Sequence, residues 1–519
     1  MHVRCTILVV VGISILAASC AHKGFVIPDD PIDRGVIGAV PHSVDLAITK
    51  FNNKDYTGAS LAWQNVLSGP DAARFGSMAE YYLAESLFRM ELIQASQYFF
   101  QSVLLKGPSG AYFAKSLDRL FKIAKFSKDE SSIPKALQST AFADLPPNFK
   151  DEVLYLMGKY YFRQGQLDRA KENFSSVVSE SDFFPDANYY LGIIAVKEKQ
   201  YKEAVLTFKK VAALDPGLYS DPDSVKKVQN LANLATGQIY YGLRYFPLAI
   251  HYYSKVNRRH HDWPEALFEM AWATFMKGRF NDSLGIIHAL HSPYFKDRFQ
   301  PETELLAAIN YLNLCKHDPA KKIIDHFKET YVPMEERLNR FITDQKNRPP
   351  ELLYTILVEI LRGKDPDRLP APIVTFVFEN ATIRTLHHMI GEVEREIRII
   401  KRLPENWKRS SMGQAVFQKL MADRVEFMKS AGILAQKEIA EAAKQLTDLR
   451  ANAITIEFET ANAEKEWLEA RRRGVIGAGG RKVSFSAAVP DNYEFWIFSG
   501  EYWWDELGYY KYNLVAECP

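Results

Sequence analysis

Apolar residues in the middle of the chain fall into paired blocks. Leu154, Met157, Gly158 and Tyr161 share one helical face, Gly165-Gln166-Leu167 makes a polar break, and Ala170, Phe174 and Val177 share the face of a second helix. The block returns as Leu191, Gly192, Ala195, Tyr201, Ala204, Phe208 and Val211, so that Gly158, Ala170 and Phe174 recur 34 positions on as Gly192, Ala204 and Phe208. Ala249 and Tyr253 recur at the same step as Ser283 and Ile287. A small residue set against a bulky one at a fixed period predicts helix–turn–helix units that bury their apolar faces only by stacking, which is a solenoid. Pro216 stops one second helix. From Ala204 to Ala249 the step grows to 45 residues, which predicts a lengthened loop at one edge of the stack. Tyr56, Ala59 and Trp63, then Leu92, Ala95 and Phe99, fit weaker copies, as does Glu304 to Tyr331. Tyr112 to Gln138 reads as a helix pair without the signature, giving roughly seven or eight pairs over residues 43–335.

Beyond residue 335 the pattern changes. A linking helix, Glu351 to Leu361, is punctuated by Arg348-Pro349-Pro350 and Lys364-Asp365-Pro366-Asp367, so residues 336–371 read as a connection. Ile383, Leu386, Ile390, Val393, Ile397 and Ile400 then step alternately by three and four, a heptad seam that Pro404 ends. A second seam runs through Ile439, Ala442, Leu446, Leu449, Ala453, Ile456, Thr460, Ala463 and Trp467. A helix from Trp407 to Ala470 would extend about 95 Å, and it cannot bury its stripe alone. Residues 372–473 therefore predict a long helical hairpin, with an oligomerising coiled coil as the alternative, and Gly432 is expected to dent it. The final segment, 474–519, is aromatic and alternating. Tyr493, Phe495 and Ile497 share one side, as do Tyr510, Tyr512, Leu514 and Ala516, which predicts a small β-meander leaning on the helices. The fold class expected is mainly α, a solenoid followed by a helical hairpin and a β tail.

The repeat positions Gly158, Tyr161, Ala170, Phe174, Gly192, Ala204, Phe208 and Ala249 resemble the tetratricopeptide repeat. That resemblance implies a scaffold whose groove binds partner proteins, with Tyr160, Tyr189 and Tyr240 as candidate anchors. At the start of the chain Arg4 precedes a short apolar run, Ile7 to Leu16, followed by Ala17-Ala18-Ser19-Cys20. Small residues before a cysteine resemble a bacterial lipobox, although Ala17 stands where leucine is usual. The resemblance implies a signal peptide over 1–19, lipidation of Cys20, and a tether over 20–42. A secretory signal with an incidental Cys20 is the other reading. Ala21-His22 after the cysteine, with no aspartate beside it, favours the outer membrane, facing the periplasm. The run Gly500-Glu501-Tyr502-Trp503-Trp504-Asp505-Glu506-Leu507-Gly508-Tyr509-Tyr510 is similar to the ends of tetratricopeptide lipoproteins of gliding and predatory Gram-negative bacteria. It implies an envelope scaffold with envelope proteins as partners, in motility, complex assembly or outer-membrane biogenesis.

Composition and chemistry narrow this little further. A formal net charge of +2 gives no reason to expect nucleic acid. No catalytic, cofactor or metal set emerges. His260-His261-Asp262 and His387-His388 do not supply three converging ligands, and the histidines of the second pair point about 100° apart on a helix, consistent with its surface. Arg258-Arg259 reads as a solvated patch. Cys315 and Cys518 could bridge or lie apart as buried thiols. Trp496, Trp503, Trp504 and Tyr509 among Glu501, Asp505 and Glu506 are candidate binding residues, because aromatics stack on sugars. They support a second expectation, a peptidoglycan-binding or cell-wall-modifying factor; the opposing view is that they pin the tail to the helices.

Overall fold

A computed structural model describes residues 31–33, 39–127, 130, 132–138, 140–365, 367–473 and 498–518. Cys20, the signal segment, Trp496 and the first expected strand lie outside these residues.

The helices run in order α1 (His42–Asn52), α2 (Tyr56–Ser68), α3 (Ala72–Arg89), α4 (Ile93–Leu105), α5 (Phe113–Ser127), α6 (Ser132–Leu137), α7 (Lys150–Arg163), α8 (Leu167–Ser175), α9 (Phe184–Lys197), α10 (Tyr201–Ala212) and α11 (Pro222–Gly242). They continue with α12 (Phe246–Tyr253), α13 (Trp263–Met276), α14 (Phe280–Leu290), α15 (Pro301–Asn313), α16 (His317–Gln345), α17 (Pro350–Leu361), α18 (Ala371–Glu379), α19 (Ala381–Arg402), α20 (Glu405–Lys408) and α21 (Ser411–Arg472). The 11 residues in excess of one step go partly into the short turn Pro216–Leu218 and partly into extra turns of α11, where Asp221 caps the start by accepting from the Ser224 N–H. The insertion is therefore helix as much as loop.

Seven of the helix pairs are joined through one residue in left-handed backbone, at Lys54, Glu91, Gly165, Lys199, Arg244, Gly278 or Cys315, with φ between 54° and 75°. These residues set the register. Seven positions before each stands Ala47, Ala84, Gly158, Gly192, Gly237, Ala271 or Ala308, and nine after it Trp63, Phe100, Phe174, Phe208, Tyr253, Ile287 or Ile324. The second repeat is thus built on Ser96 and Phe100, both fully buried, one residue later than Ala95 and Phe99. The reason for the small residue is direct. A Cβ added at Gly158 would lie 2.6 Å from the Phe174 ring, and one at Gly237 2.5 Å from Tyr253. In the last two repeats Ala271 and Ala308 stand against Ile287 and Ile324, whereas in the first two Ala47 and Ala84 stand against Trp63 and Phe100. Gly192→Ala should therefore cost about 1–3 kcal/mol by overpacking against Phe208, although alanine is the better helix former. Adding Phe208→Ile should restore part of the loss. A double-mutant cycle of urea unfolding checks this, and strictly additive effects would contradict it.

The C-terminal helices form the hairpin, and α21 does more than close it. Val393, Ile397 and Ile400 pack with Met412, Val416 and Leu420, Ile390 with Met428, and Ile383 with Ala435 and Ile439, so α19 and α21 run antiparallel. The seam lies inside one chain: Leu446 packs with α16 and α17, and Leu449, Ala453 and Ile456 pack with Leu305, Ala308, Ile324 and Phe327. At the other end, Trp407, Met412, Val416 and Leu420 join the core of α1–α4. With 62 residues, α21 is about 93 Å long. It links the first repeats to the last, while the apolar clusters of residues 150–253 contain nothing from it. The repeats form an arch and the hairpin its strut. Gly432 does not dent the helix. It lets Pro350 at the start of α17 approach so closely that any Cβ would fall on the Pro350 carbonyl.

The expected β-meander is corrected: the described tail, 498–518, contains no strand. It makes turns over 504–508 against α13 and then runs extended from Tyr509 across α14 and α15. Tyr510, Tyr512 and Leu514 face the helices, and Tyr509, Lys511, Asn513 and Val515 face solvent. Alternation arises here without a ladder, because any extended segment resting on a surface buries every second side chain. Its backbone bonds go elsewhere. Asn281 donates to the Leu514 carbonyl at 3.0 Å and accepts from the Leu514 N–H at 3.0 Å, and the Glu517 N–H donates to Leu314 O at 3.1 Å. Cys315 and Cys518 are joined by a disulfide.

Candidate partner-binding surface

The first helices of successive repeats, α9 with α11, α11 with α13 and α13 with α15, approach one another, and the second helices do so less. The first helices therefore line the inner side of the arch. One carboxylate or more projects from nearly every one: Glu152 on α7, Asp186 on α9, Glu265 and Glu269 on α13, Glu302 on α15. Burial pushes all of them upward, Glu152 and Glu269 to about 7 and Asp186 to about 6. Glu265 is exposed by area and yet desolvated, which is how a side chain on the wall of a concave surface behaves. Like charges add to the effect: Glu302 and Glu379 act on Glu265, and Glu265 acts on Glu269. Three cations act against this: Lys125 on Glu152, Lys159 on Asp186 and Arg298 on Glu265. Lys159 pairs with Glu130 beside Asp186, and Arg298 near Glu265 is engaged by Glu379 at 3.1 Å. Gln238 donates to Glu269 at 2.8 Å. Aromatic rings lie between the acids. Trp272 donates to Glu302, and Tyr189 rests against Phe208 with centroids 5.5 Å apart. Of the three tyrosines expected as anchors, Tyr189 is in this row. Tyr160 instead accepts from Gln138, and Tyr240 stacks on Tyr252.

The repeat-signature residues are structural. Ala170, Phe174, Ala204, Phe208 and Ala249 are buried in the core, and Gly158 and Gly192 sit under their rings. Tyr161 is partly buried against Arg169, 5.4 Å from its ring centroid. The tail aromatics divide. Trp504 packs on Trp263, Tyr294 and Phe295, and Leu507 is buried beside them. Trp503 and Tyr509 remain 58% and 53% exposed. Arg258, expected to be solvated, holds the tail: it donates to Trp504 O and Asp505 O and lies over the Tyr509 ring. His387 pairs with the Tyr354 hydroxyl at 2.7 Å and His388 with Phe126 O at 2.9 Å, so both are packing contacts rather than surface groups. Among the described residues no group of three His, Cys, Asp or Glu could hold a metal, and no helix is long and apolar enough to cross a membrane.

One titratable group has no counterpart in the sequence reading. Glu396 of α19 is fully buried and accepts from the Gln94 and Ala95 N–H groups at 2.6 and 3.1 Å, capping α4, whose own N-cap side chain makes no bond. Burial pushes it up to about 8 against those two donors. With folded values above the unfolded ones, the stability contributed by Glu396, Glu152 and Glu269 is complete below about pH 4.5 and lost as pH rises through 7 to 8. His288, His291, His317 and His387 are lowered by burial, so they destabilise only toward acid. Thermal unfolding followed from pH 6.5 to 8.5 should therefore fall in midpoint, with Glu396 contributing on the order of 2 kcal/mol. Glu396→Gln should flatten that slope, and an unchanged slope would contradict the assignment.

Residues 155–219 match the tetratricopeptide-repeat family model. No curated protein matches the chain. Among solved structures, the tetratricopeptide-repeat domain of P58(IPK) is similar at 13% identity, covering 73% of this chain and 96% of its own, with a TM-score of 0.18. The Cut9–Hcn1 hetero-tetramer of APC/C is similar at 13% identity, covering 83% and 92%, with a TM-score of 0.22. The stretch matched to the family spans α7 to α10, where the small-against-aromatic pairs are sharpest, and over those residues the chain is similar to tetratricopeptide repeats.

Proposed function

We propose that this protein is a lipid-anchored scaffold of a bacterial envelope, tethered through Cys20 to the outer membrane, whose arch takes up a partner envelope protein presenting lysine and arginine. The observation that carries the binding mode is the row Glu152, Asp186, Glu265, Glu269 and Glu302 on the inner helices, desolvated by more than Lys125, Lys159 and Arg298 offset. An incoming cation restores the charged form of such groups and forms strong charge-assisted hydrogen bonds, while Tyr189 and Trp272 offer apolar area. The compartment is supported by the Leu16–Cys20 sequence and by the Cys315–Cys518 bridge, which suits oxidising surroundings. Peptides of matched apolar content, one rich in arginine and one in glutamate, test the mode. The basic peptide should bind, and Glu265→Lys with Glu269→Lys and Glu302→Lys should weaken it at least about tenfold. Equal affinity for both peptides would remove the reading. The anchor is tested separately by incorporation of labelled fatty acid, which Cys20→Ala should abolish.

A second reading, binding to peptidoglycan through the tail, is favoured by the exposed Trp503 ring alone. Co-sedimentation with sacculi, lost on Trp503→Ala, would support it.

A further inference from the structure

The tail is itself a peptide seated on a receptor surface. Residues 498–518 lie on the outer side of the last repeats, away from the row of carboxylates. Leu507 enters the core of α13 and α14 beside Trp263 and Leu267, and Trp504 packs edge-on against Trp263. His288 of α14 is ringed by Phe498, Tyr502, Tyr510 and Tyr512, with centroids 4.6 to 5.9 Å away. Gly285 is the receptor's own adaptation, because a Cβ there would fall on the Tyr510 carbonyl. Asn281 reads the backbone at Leu514 as donor and acceptor together, as a strand edge would.

What holds the tail down is concentrated at its end. Cys518 is exposed and bonded to Cys315 in the turn between α15 and α16, Glu517 pairs with Lys316, and Trp467 at the end of α21 donates to Glu517 O at 2.8 Å. Beneath this clasp His317 is 7% exposed, and neither ring nitrogen has a hydrogen-bond partner. Closing the clasp thus leaves a buried polar ring unsatisfied, a cost that opening relieves.

We propose that the surface of α13–α15 under the tail is a second binding site, for an extended aromatic-rich segment of a partner, which the Cys315–Cys518 bridge keeps filled by the chain's own tail. A dithiol opens it: its thiolate attacks the exposed Cys518 sulfur, Cys315 leaves as thiolate and takes a proton, and the second thiol resolves the mixed disulfide. The products are two protein thiols and one oxidised dithiol.

A labelled peptide of residues 498–517 serves as the probe, offered to the full chain before and after reduction by a dithiol and to the Cys315→Ser/Cys518→Ser chain. The reduced and double-serine chains should bind it at least about tenfold more tightly than the oxidised chain, and a peptide with Leu507→Ala and Tyr510→Ala should bind neither. Equal binding in all states, or none after reduction, would overturn the proposal. Amide exchange on the wild-type chain gives the second readout. Reduction should strip protection from 498–518 and α14 while leaving residues 150–253 unchanged; a tail equally protected in both states would also overturn it.

Discussion

Trp407→Ala should be the most damaging single truncation in the chain, costing about 3–5 kcal/mol. Its ring is fully buried in the core of α1–α4, together with Phe51, Trp63, Met412 and Leu420, and its Nε1 donates to Ser60 Oγ of α2 at 3.0 Å. The residue stands in the short α20, at the bend of the hairpin, so it fastens the strut to the first repeats. Truncation opens a cavity and leaves the Ser60 hydroxyl without its donor. The loss should be selective. Amide exchange in α1–α4 and α19 should accelerate, whereas α7–α10, whose apolar clusters contain nothing from the hairpin, should keep their protection. Uniform acceleration across the arch would mean that the strut does not fasten one end.

Gly432→Val should break the strut about a third of the way along α21. Helical backbone tolerates valine, so the effect comes from the neighbour: the Pro350 carbonyl occupies the space that a Cβ needs, and backbone cannot swing aside as a side chain can. Overpacking costs typically 1–3 kcal/mol, and a clash with backbone belongs at the top of that range, about 3 kcal/mol. The displaced element is α17, whose Leu353, Ile356, Leu357 and Ile360 pack against Ala435, Ile439, Ala442 and Leu446. Urea unfolding should show a lower midpoint, and exchange should rise in α17 and α18 before the first repeats. Gly432→Ala should produce the same pattern more weakly. A valine variant as stable as the parent would show that the two helices stand farther apart than described.

The pairs Gly158 with Phe174 and Gly192 with Phe208 are visible to inspection because the chemistry that packs them is local: a ring needs a gap, and both lie within one helix–turn–helix unit. The heptad seams are legible for the same reason, since a stripe of Ile383 to Ile400 must be buried whatever covers it. The turns are not legible. Left-handed backbone is expected of glycine, and here Lys54, Glu91, Lys199 and Arg244 adopt it, held by the helices on either side. The slip at Phe99 and Phe100 follows: two adjacent rings fit the spacing, and only the turn at Glu91 decides between them. Glu396 could not be found from sequence at all, because the helix it caps lies 302 residues away. The tail misled for a different reason. Alternation reports an extended chain on a surface, and it does not say whether that surface is a strand or a helix.

The acidic inner row was missed too, although its residues recur at related places in the first helices. Glutamates on a helix are ordinary. What sets these apart is that neighbouring repeats wall them off from water, and that appears only once the helices are stacked.

The central claim, that the inner helices of the arch hold a partner through carboxylates and aromatic rings, is tested most directly by site-specific photocrosslinking in intact cells. Crosslinkers at Tyr189 and Trp272 on the inner row are compared with crosslinkers at Leu206 and Leu248, which are exposed on second helices. The account predicts crosslinked partner only from the inner positions, with lysine or arginine in the captured peptides. Capture confined to Leu206 and Leu248, or acidic captured peptides, would contradict it.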